Sequence, residues 1–187
     1  MLIEIFLLIV GTACDLLALA FLARFIMQWG RLSFRNPVGQ FVIAVTDWAV
    51  RPVRRLVPGL LGFDLASLLL AWLVQCAYLG LAAGLTGAVG SPAAAGLVAL
   101  AAALAILRLC IYLAMGVVIV AALLSWINPY APMAPFFNAL AAPLLRPFQR
   151  LIPPVGGVDL SPIALLLVLQ VLLMVLNGLA GGLFLVR

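Results

Sequence analysis

Four apolar runs dominate this chain, at residues 2–29, 64–86, 95–127 and 159–186. Each is long enough to cross a lipid bilayer as a helix. At about 1.5 Å per residue the first reaches roughly 42 Å, against a hydrocarbon core of about 30 Å. They are continuous runs of Leu, Ala and Val, whereas membrane barrel strands alternate over about ten residues, so helices are expected. The first run is not expected to be a cleaved signal peptide, since Glu4 stands where a basic cluster belongs and the run is too long.

Composition supports the same class. Hydrophobic residues make up 68% of the 187 positions and charged residues 8%, against roughly 25% charged in an ordinary soluble domain. A compact soluble protein could not cover its surface with so few polar side chains. A disordered chain, a nucleic-acid-binding domain and a water-soluble enzyme are excluded. The expected fold is therefore an all-α membrane protein with four transmembrane helices.

The net charge of +5 comes from ten basic residues, all arginine. Five of them, Arg31, Arg35, Arg51, Arg54 and Arg55, lie between the first two spans, and Arg146 and Arg150 lie between the last two. The link over residues 87–92 carries no charge. The positive-inside rule puts the arginine-bearing connections in the cytoplasm, with both termini outside, and makes anionic lipid headgroups their expected partners. Cys14, Cys76 and Cys110 stand alone in apolar runs, which suits small buried hydrophobes and argues against a disulfide or a metal site.

The two arginine-bearing connections are copies of one another. RPVRRLVPGLLGFDLAS, starting at Arg51, matches RPFQRLIPPVGGVDLSP, starting at Arg146, at a constant offset of 95 residues. Arg51, Pro52, Arg55, Leu56, Pro58, Gly62, Asp64 and Leu65 recur as Arg146, Pro147, Arg150, Leu151, Pro153, Gly157, Asp159 and Leu160. Gln75 recurs as Gln170, and upstream the register slips by two, so that Gln28-Trp29 stands opposite Ser125-Trp126. The chain reads as two tandem span–loop–span units, residues 1–90 and 91–187. An even number of spans per unit gives both the same orientation, hence an expected pseudo-two-fold axis along the membrane normal.

The segment FLARFIMQWGRLSFRNPVGQFVIAVTDWAVRPVRRLVP and its second copy ALLSWINPYAPMAPFFNALAAPLLRPFQRLIPPVGGVDLSP resemble the two halves of the YggT family of bacterial inner-membrane proteins. The chain departs from the family pattern at Gly59 to Gly62, at Ala66-Ser67, and at Ala131-Pro132, where asparagine–proline is usual. The resemblance implies an inner-membrane location and links to osmotic stress, cell division or membrane-complex maturation.

Each loop is expected to hold an interfacial amphipathic helix, at about residues 37–57 and 134–152. In the first, Val38, Phe41, Val42, Val45, Trp48, Ala49, Val53 and Leu56 recur at helical spacing, with Gln40, Asp47, Arg51, Arg54 and Arg55 mostly off that stripe. Such a helix lies in the headgroup plane, its arginines on phosphates and Trp48 at the boundary. Pro52 is expected to break the first helix, and Pro143 with Pro147 to break the second more strongly.

Asp64 and the Asp159-Leu160-Ser161-Pro162 run read as helix starts, with capping the favoured role of both aspartates, Ser161 also able to cap, and Pro162 at the first turn. A sharper reading pairs Asp64 and Asp159 with arginines of the neighbouring RPxxR turns, with Gly62, Gly156 and Gly157 allowing the close approach. Inside the spans, Asp15 and Arg108 lie at depths about 6 Å apart, so a pair between the first and third spans is expected. Arg24 is near enough to the boundary to snorkel. Gln75 and Gln170 fall near mid-bilayer, where interhelical hydrogen bonding is their expected role. GLAAG from Gly80 and GLAGG from Gly178 carry weak GxxxG spacing for close helix packing or a dimer.

The leading functional reading is a non-enzymatic scaffold or assembly factor. Arg51, Arg54, Arg55, Trp48, Arg146 and Arg150 would form its lipid or partner interface. The alternative is a small transporter or channel component using Asp15, Arg108, Gln75 and Gln170. An enzyme is not expected, because there is no histidine and no motif that assembles a nucleophile with a base. No cofactor is expected.

Overall fold

A computed structural model describes residues 1–56, 64–86, 92–152 and 159–185, with side chains omitted at 56, 92–94 and 180–185. The described residues form six helices and no strand: α1 (Leu2–Trp29), α2 (Pro37–Leu56), α3 (Leu65–Leu85), α4 (Pro92–Ile127), α5 (Ala134–Leu151) and α6 (Ser161–Leu185). Four of them, α1, α3, α4 and α6, are long and apolar enough to span a membrane. The chain is a multi-pass membrane protein of the expected all-α class. Gly62, Gly156 and Gly157, called for the close approach of loop to span, lie outside the described residues.

The chain divides into two compact units, Met1–Cys110 and Ile111–Arg187. In the first, α1 packs along α3, and α2 packs across both. Gly11, Ala18, Ala66 and Ala71 are buried on the facing sides of α1 and α3, and small residues there let two backbones approach in lipid. At Gly11 an added Cβ would sit 2.7 Å from the Tyr78 ring. In the second unit, Ile111, Val118 and Ala121 of α4 share a core with Ala141 and Leu145 of α5 and with Leu165, Leu169 and Leu173 of α6.

Local signals set the start of α2. Chain reversal after α1 uses a left-handed residue, Arg31 (φ 51°), with Leu32 N–H donating to the Met27 carbonyl at 2.9 Å, a Schellman-type stop. Asn36 then caps α2, its side-chain oxygen accepting the Gly39 N–H at 2.8 Å, with Pro37 at the first helical position. A Cβ at Gly39 would lie 2.7 Å from the Phe34 backbone. Glycine is required there by close approach.

The expected helix breaks do not occur. Pro52 lies inside α2, and Pro143 and Pro147 lie inside α5, without interrupting either helix. Each proline removes one backbone donor. All three are exposed, so the ring is accommodated on an outer surface.

Candidate functional site

The first unit holds a polar cluster where α1, α2 and α3 meet. Its centre is Arg24 of α1, whose side chain is 8% exposed. The guanidinium donates to the Thr46 hydroxyl at 2.8 Å and to an Asp47 oxygen at 2.9 Å, both on α2. Its Nε lies 3.7 Å from Oδ2 of Asp64, the residue that opens α3. Thr46 is fully buried and donates its own proton to the Val42 carbonyl at 2.6 Å, leaving its oxygen free to accept from Arg24. Arg24 was expected to snorkel toward water. Instead it turns inward, because two carboxylates and a hydroxyl give it more than a headgroup would.

Asp64 is the second anchor. Arg54 grips it with two hydrogen bonds, at 3.2 Å to Oδ1 and 2.5 Å to Oδ2, and also donates to Gln28 of α1 at 2.6 Å. The Ser67 hydroxyl donates to Oδ2 at 2.7 Å. Asp64 stands at the N-cap position of α3, but its carboxylate is spent on Arg54 and Ser67. Burial alone would push this carboxyl up, yet the bonds from Arg54 and Ser67 and the Arg54 charge outweigh it and hold the carboxyl below its usual range. Asp47 behaves alike. Burial raises it, and the Arg24 hydrogen bond with the Arg24 and Arg51 charges brings it down overall. Arg51 reaches Asp47 at 2.6 Å from an exposed position.

This cluster fixes which way α2 faces. Gly39, Val42, Thr46, Ala49 and Val50 point inward. Phe41 and Trp48, on the same apolar stripe by sequence, are 65% and 69% exposed. By helical position they form an outer apolar edge beside Gln40, Arg51 and Arg55. Arg55 has no partner among the described residues.

The equivalent join in the second unit is built differently. Asp159 Oδ1 accepts the Ser161 N–H at 2.8 Å and so caps α6, while Oδ2 accepts from Gln149 at 2.8 Å. Asp159 thus takes the capping role, and the sharper alternative, a pair with an arginine of its RPxxR turn, does not form: its second oxygen takes Gln149, which stands at the register of Arg54. The cap is Asp159 rather than Ser161, whose buried hydroxyl has no partner among the described residues. Burial pushes the Asp159 carboxyl up, but the Ser161 and Gln149 bonds hold it lower overall. Arg146 and Arg150 are exposed, without partners among the described residues.

Within the spans, Asp15 is not bonded to Arg108. Gln75 of α3, 2% exposed, donates to Asp15 at 2.8 Å, tying the first span to the second rather than to the third. Arg108 Nε is buried without a hydrogen-bond partner among the described residues. Gln170 is exposed on α6, unlike its counterpart Gln75. Gly80, Gly84 and Gly178 meet nothing within 4 Å where a Cβ would stand, so their GxxxG spacing makes no close contact here. No group of three or more metal-ligating side chains occurs among the described residues.

Neither the Arg24 role nor the Asp15–Gln75 bond was read from the sequence. The depth of Gln75, 11 residues beyond Asp64, and that of Asp15, 14 before Trp29, differ by only about 5 Å, a signal that could have found the pair.

Comparison with known proteins agrees with the repeat. A family model described as CCB3/YggT matches residues 3–85 and 100–180. An uncharacterized protein of Pseudomonas aeruginosa is 37% identical over 176 residues, covering 92% of this chain and 89% of its own. The uncharacterized protein YggT of Escherichia coli is 34% identical, covering 88% and 85%. An uncharacterized protein of Haemophilus influenzae is 28% identical, covering 96% and 95%. No solved structure matches.

Proposed function

The chain belongs to the CCB3/YggT family, and on that footing we propose that it is a non-enzymatic scaffold or assembly factor of the bacterial inner membrane. Its two repeat copies, residues 1–90 and 91–187, each present one arginine-bearing helix at the cytoplasmic leaflet, with both termini outside. The observation that carries this reading is the clamp on α2. Arg24, Arg54, Thr46, Asp47 and Asp64 fix the helix from beneath, so that Phe41, Trp48, Arg51 and Arg55 stand on a firmly held outer face. A rigid platform with an aromatic edge, an exposed Arg51 and an Arg55 guanidinium unpaired among the described residues suits recognition at a membrane surface. In the second copy, Arg146 and Arg150 play the corresponding part on α5.

The polar residues inside the spans favour this reading over transport. Gln75 is committed to Asp15 and buried, and Gln170 is exposed, so the two do not occupy like environments as a shared polar path requires.

Two measurements test the proposal. Cysteines introduced as Arg55→Cys or Arg150→Cys, in a background lacking the native thiols, should resist impermeant reagents in intact cells and react in inverted vesicles. Reaction from outside would overturn the orientation. Purified protein in proteoliposomes should conduct neither ions nor small solutes. Conductance that disappears in a Gln75→Ala, Gln170→Ala variant would replace the scaffold with a transporter.

A further inference from the structure

An apolar furrow of about 460 Å³ runs between α3 and α4 in the first unit, lined by Leu65, Leu68, Leu69, Trp72, Ala103 and Ile106. We propose that it is a phospholipid site, holding one acyl chain in the furrow with the phosphate at the arginine cluster beside α2. This deepens the lipid side of the scaffold reading and rests on it only for the leaflet involved.

Three observations converge. First, the furrow lies on two helices of membrane-spanning length, so hydrocarbon is its surrounding solvent. Its one polar lining group, the Trp72 indole N–H, already donates to the Ala99 carbonyl at 3.1 Å. No hydrogen-bonding group remains to hold water or a polar solute. In lipid the hydrophobic effect gives no drive, but an unfilled groove forfeits dispersion contacts along its whole wall, and a flexible chain restores them. Second, the furrow begins at the end of α3 where a headgroup can stand. Leu65 is the first residue of α3, and Trp72 lies about 10 Å further along it. Third, the charge at that end is complementary to phosphate. Asp64 immediately precedes Leu65 and is held by Arg54, which remains 40% exposed. Three arginines (24, 51 and 54) contact two aspartates (47 and 64), an excess of one positive charge, and Arg55 adds a further exposed charge on α2.

The occupant is thus defined by shape at one end and charge at the other. Ala103 is the small, exposed member of the lining, and its replacement by a large side chain fills the furrow without touching the arginines.

The test uses the full chain purified from membranes and exchanged with phosphatidylglycerol–phosphatidylethanolamine vesicles. Native mass spectrometry after detergent extraction should show one retained phospholipid per chain, with retention reduced at least fivefold in Ala103→Phe. Absence of retained lipid in the parent protein, or retention unchanged in a folded Ala103→Phe, would overturn the site. A second measurement avoids folding losses. In a protein with Trp72 as sole tryptophan (Trp29, Trp48 and Trp126→Phe), brominated acyl chains should quench its fluorescence and acrylamide should not; the reverse overturns it. Rapid disulfide formation between two Ala103→Cys chains would assign the furrow to a second copy and end the proposal. None of these readouts depends on a protein partner or on solute flux, so the lipid site and the scaffold role fail separately.

Discussion

The joins at α2 and α5 share one sequence plan and hold their helices by different physics. Thr46 and Ala141 occupy the same register, and both are fully buried. The first join adds Arg24, Asp47 and Arg54; in the other copy Ala121, Ala142 and Gln149 take those places. One join is an ion network with every buried charge answered, the other a set of alanines and leucines around Ala121, Ala141 and Leu145. A buried ion pair costs desolvation that apolar packing avoids, and its advantage lies in fixing one geometry. The difference teaches that the repeat constrains backbone path and leaves the means of fixing it open. The first join carries the specified orientation, and the second carries arginines with nothing beneath to hold them.

The largest expected effect tests that contrast directly. Arg24→Ala leaves Thr46 and part of Asp64 unanswered and Asp47 with the exposed Arg51 alone, and should cost about 3 kcal/mol, measured by reversible SDS unfolding in micelles. The triple variant Arg24→Ala, Thr46→Ala, Asp47→Ala gives the first join the residues of the second. It should lose less than half as much, since no orphaned charge remains except on the Arg54-held Asp64. A triple loss equal to or above the single would show that the two joins are not interchangeable solutions.

Gly39 gives the next effect. It stands at the register of Ala134, which is buried with its methyl group in place. In the first copy the Phe34 backbone occupies that space, at 2.7 Å from a would-be Cβ. Gly39→Ala should destabilise by about 2 kcal/mol, because the clashing atoms are backbone and cannot rotate away. Ala134→Gly should cost only about 1 kcal/mol, from lost helix propensity. Equal losses would mean that the loop before α2 can lift without penalty.

The extent to which the sequence foretold these features follows from what each depends on. Span positions depend on composition along one dimension, and α1 and α2 begin where apolar runs and Asn36-Pro37 place them. The Asp64 contact was legible as a carboxylate beside an arginine-rich turn, because ten residues of chain bring Arg54 within reach. Arg24 and Asp15 were misread for one reason. Position along a helix gives depth, but the choice of neighbour depends on how helices are arranged side by side. Arg108 and Gln75 both lie near the depth of Asp15, and only the packing of α1 on α3 selects Gln75. Which stripe residues of α2 face protein was open for a related reason. An apolar residue in an interfacial helix can face protein or lipid, and periodicity alone gives both the same stripe.

Acid provides a third way to sharpen the contrast. Asp47 and Asp64 sit below their usual range in the folded protein. A carboxyl lowered by folding contributes stability in full above its unfolded value, about pH 4, and loses it as pH falls through the folded value. Unfolding resistance should therefore be flat from neutral pH to about 4.5 and fall below that. Asp47→Asn should flatten the fall, and should do so less in the Arg24→Ala background, where only Arg51 remains to lower Asp47. Asp159 is also lowered, but by the Ser161 and Gln149 bonds rather than by a cation. Asp159→Asn should change the acid limb less. An acid limb governed by Asp159 would reverse the assignment of the ion network to the first join.

The smallest effect comes from converting one join toward the other. Gln149 donates to Asp159 at 2.8 Å from an exposed position, and Arg54 does the same for Asp64 beside a buried carboxylate. Gln149→Arg restores the arginine in the second copy, and the Asp159 carboxylate is there to receive it. Yet Asp159 is only half-buried, and an exposed ion pair is worth about 0.5 kcal/mol, less in salt. The expected gain is therefore a few tenths of a kcal/mol, disappearing in high salt. A salt-resistant gain several times larger would mean that Asp159 has the same dry surroundings as Asp64. The contrast between the joins would then reduce to the identity of one side chain, with the buried Arg24 and Thr46 contributing little. A gain that disappears in salt places the difference where the geometry does, in the residues that α1 and α2 bury together.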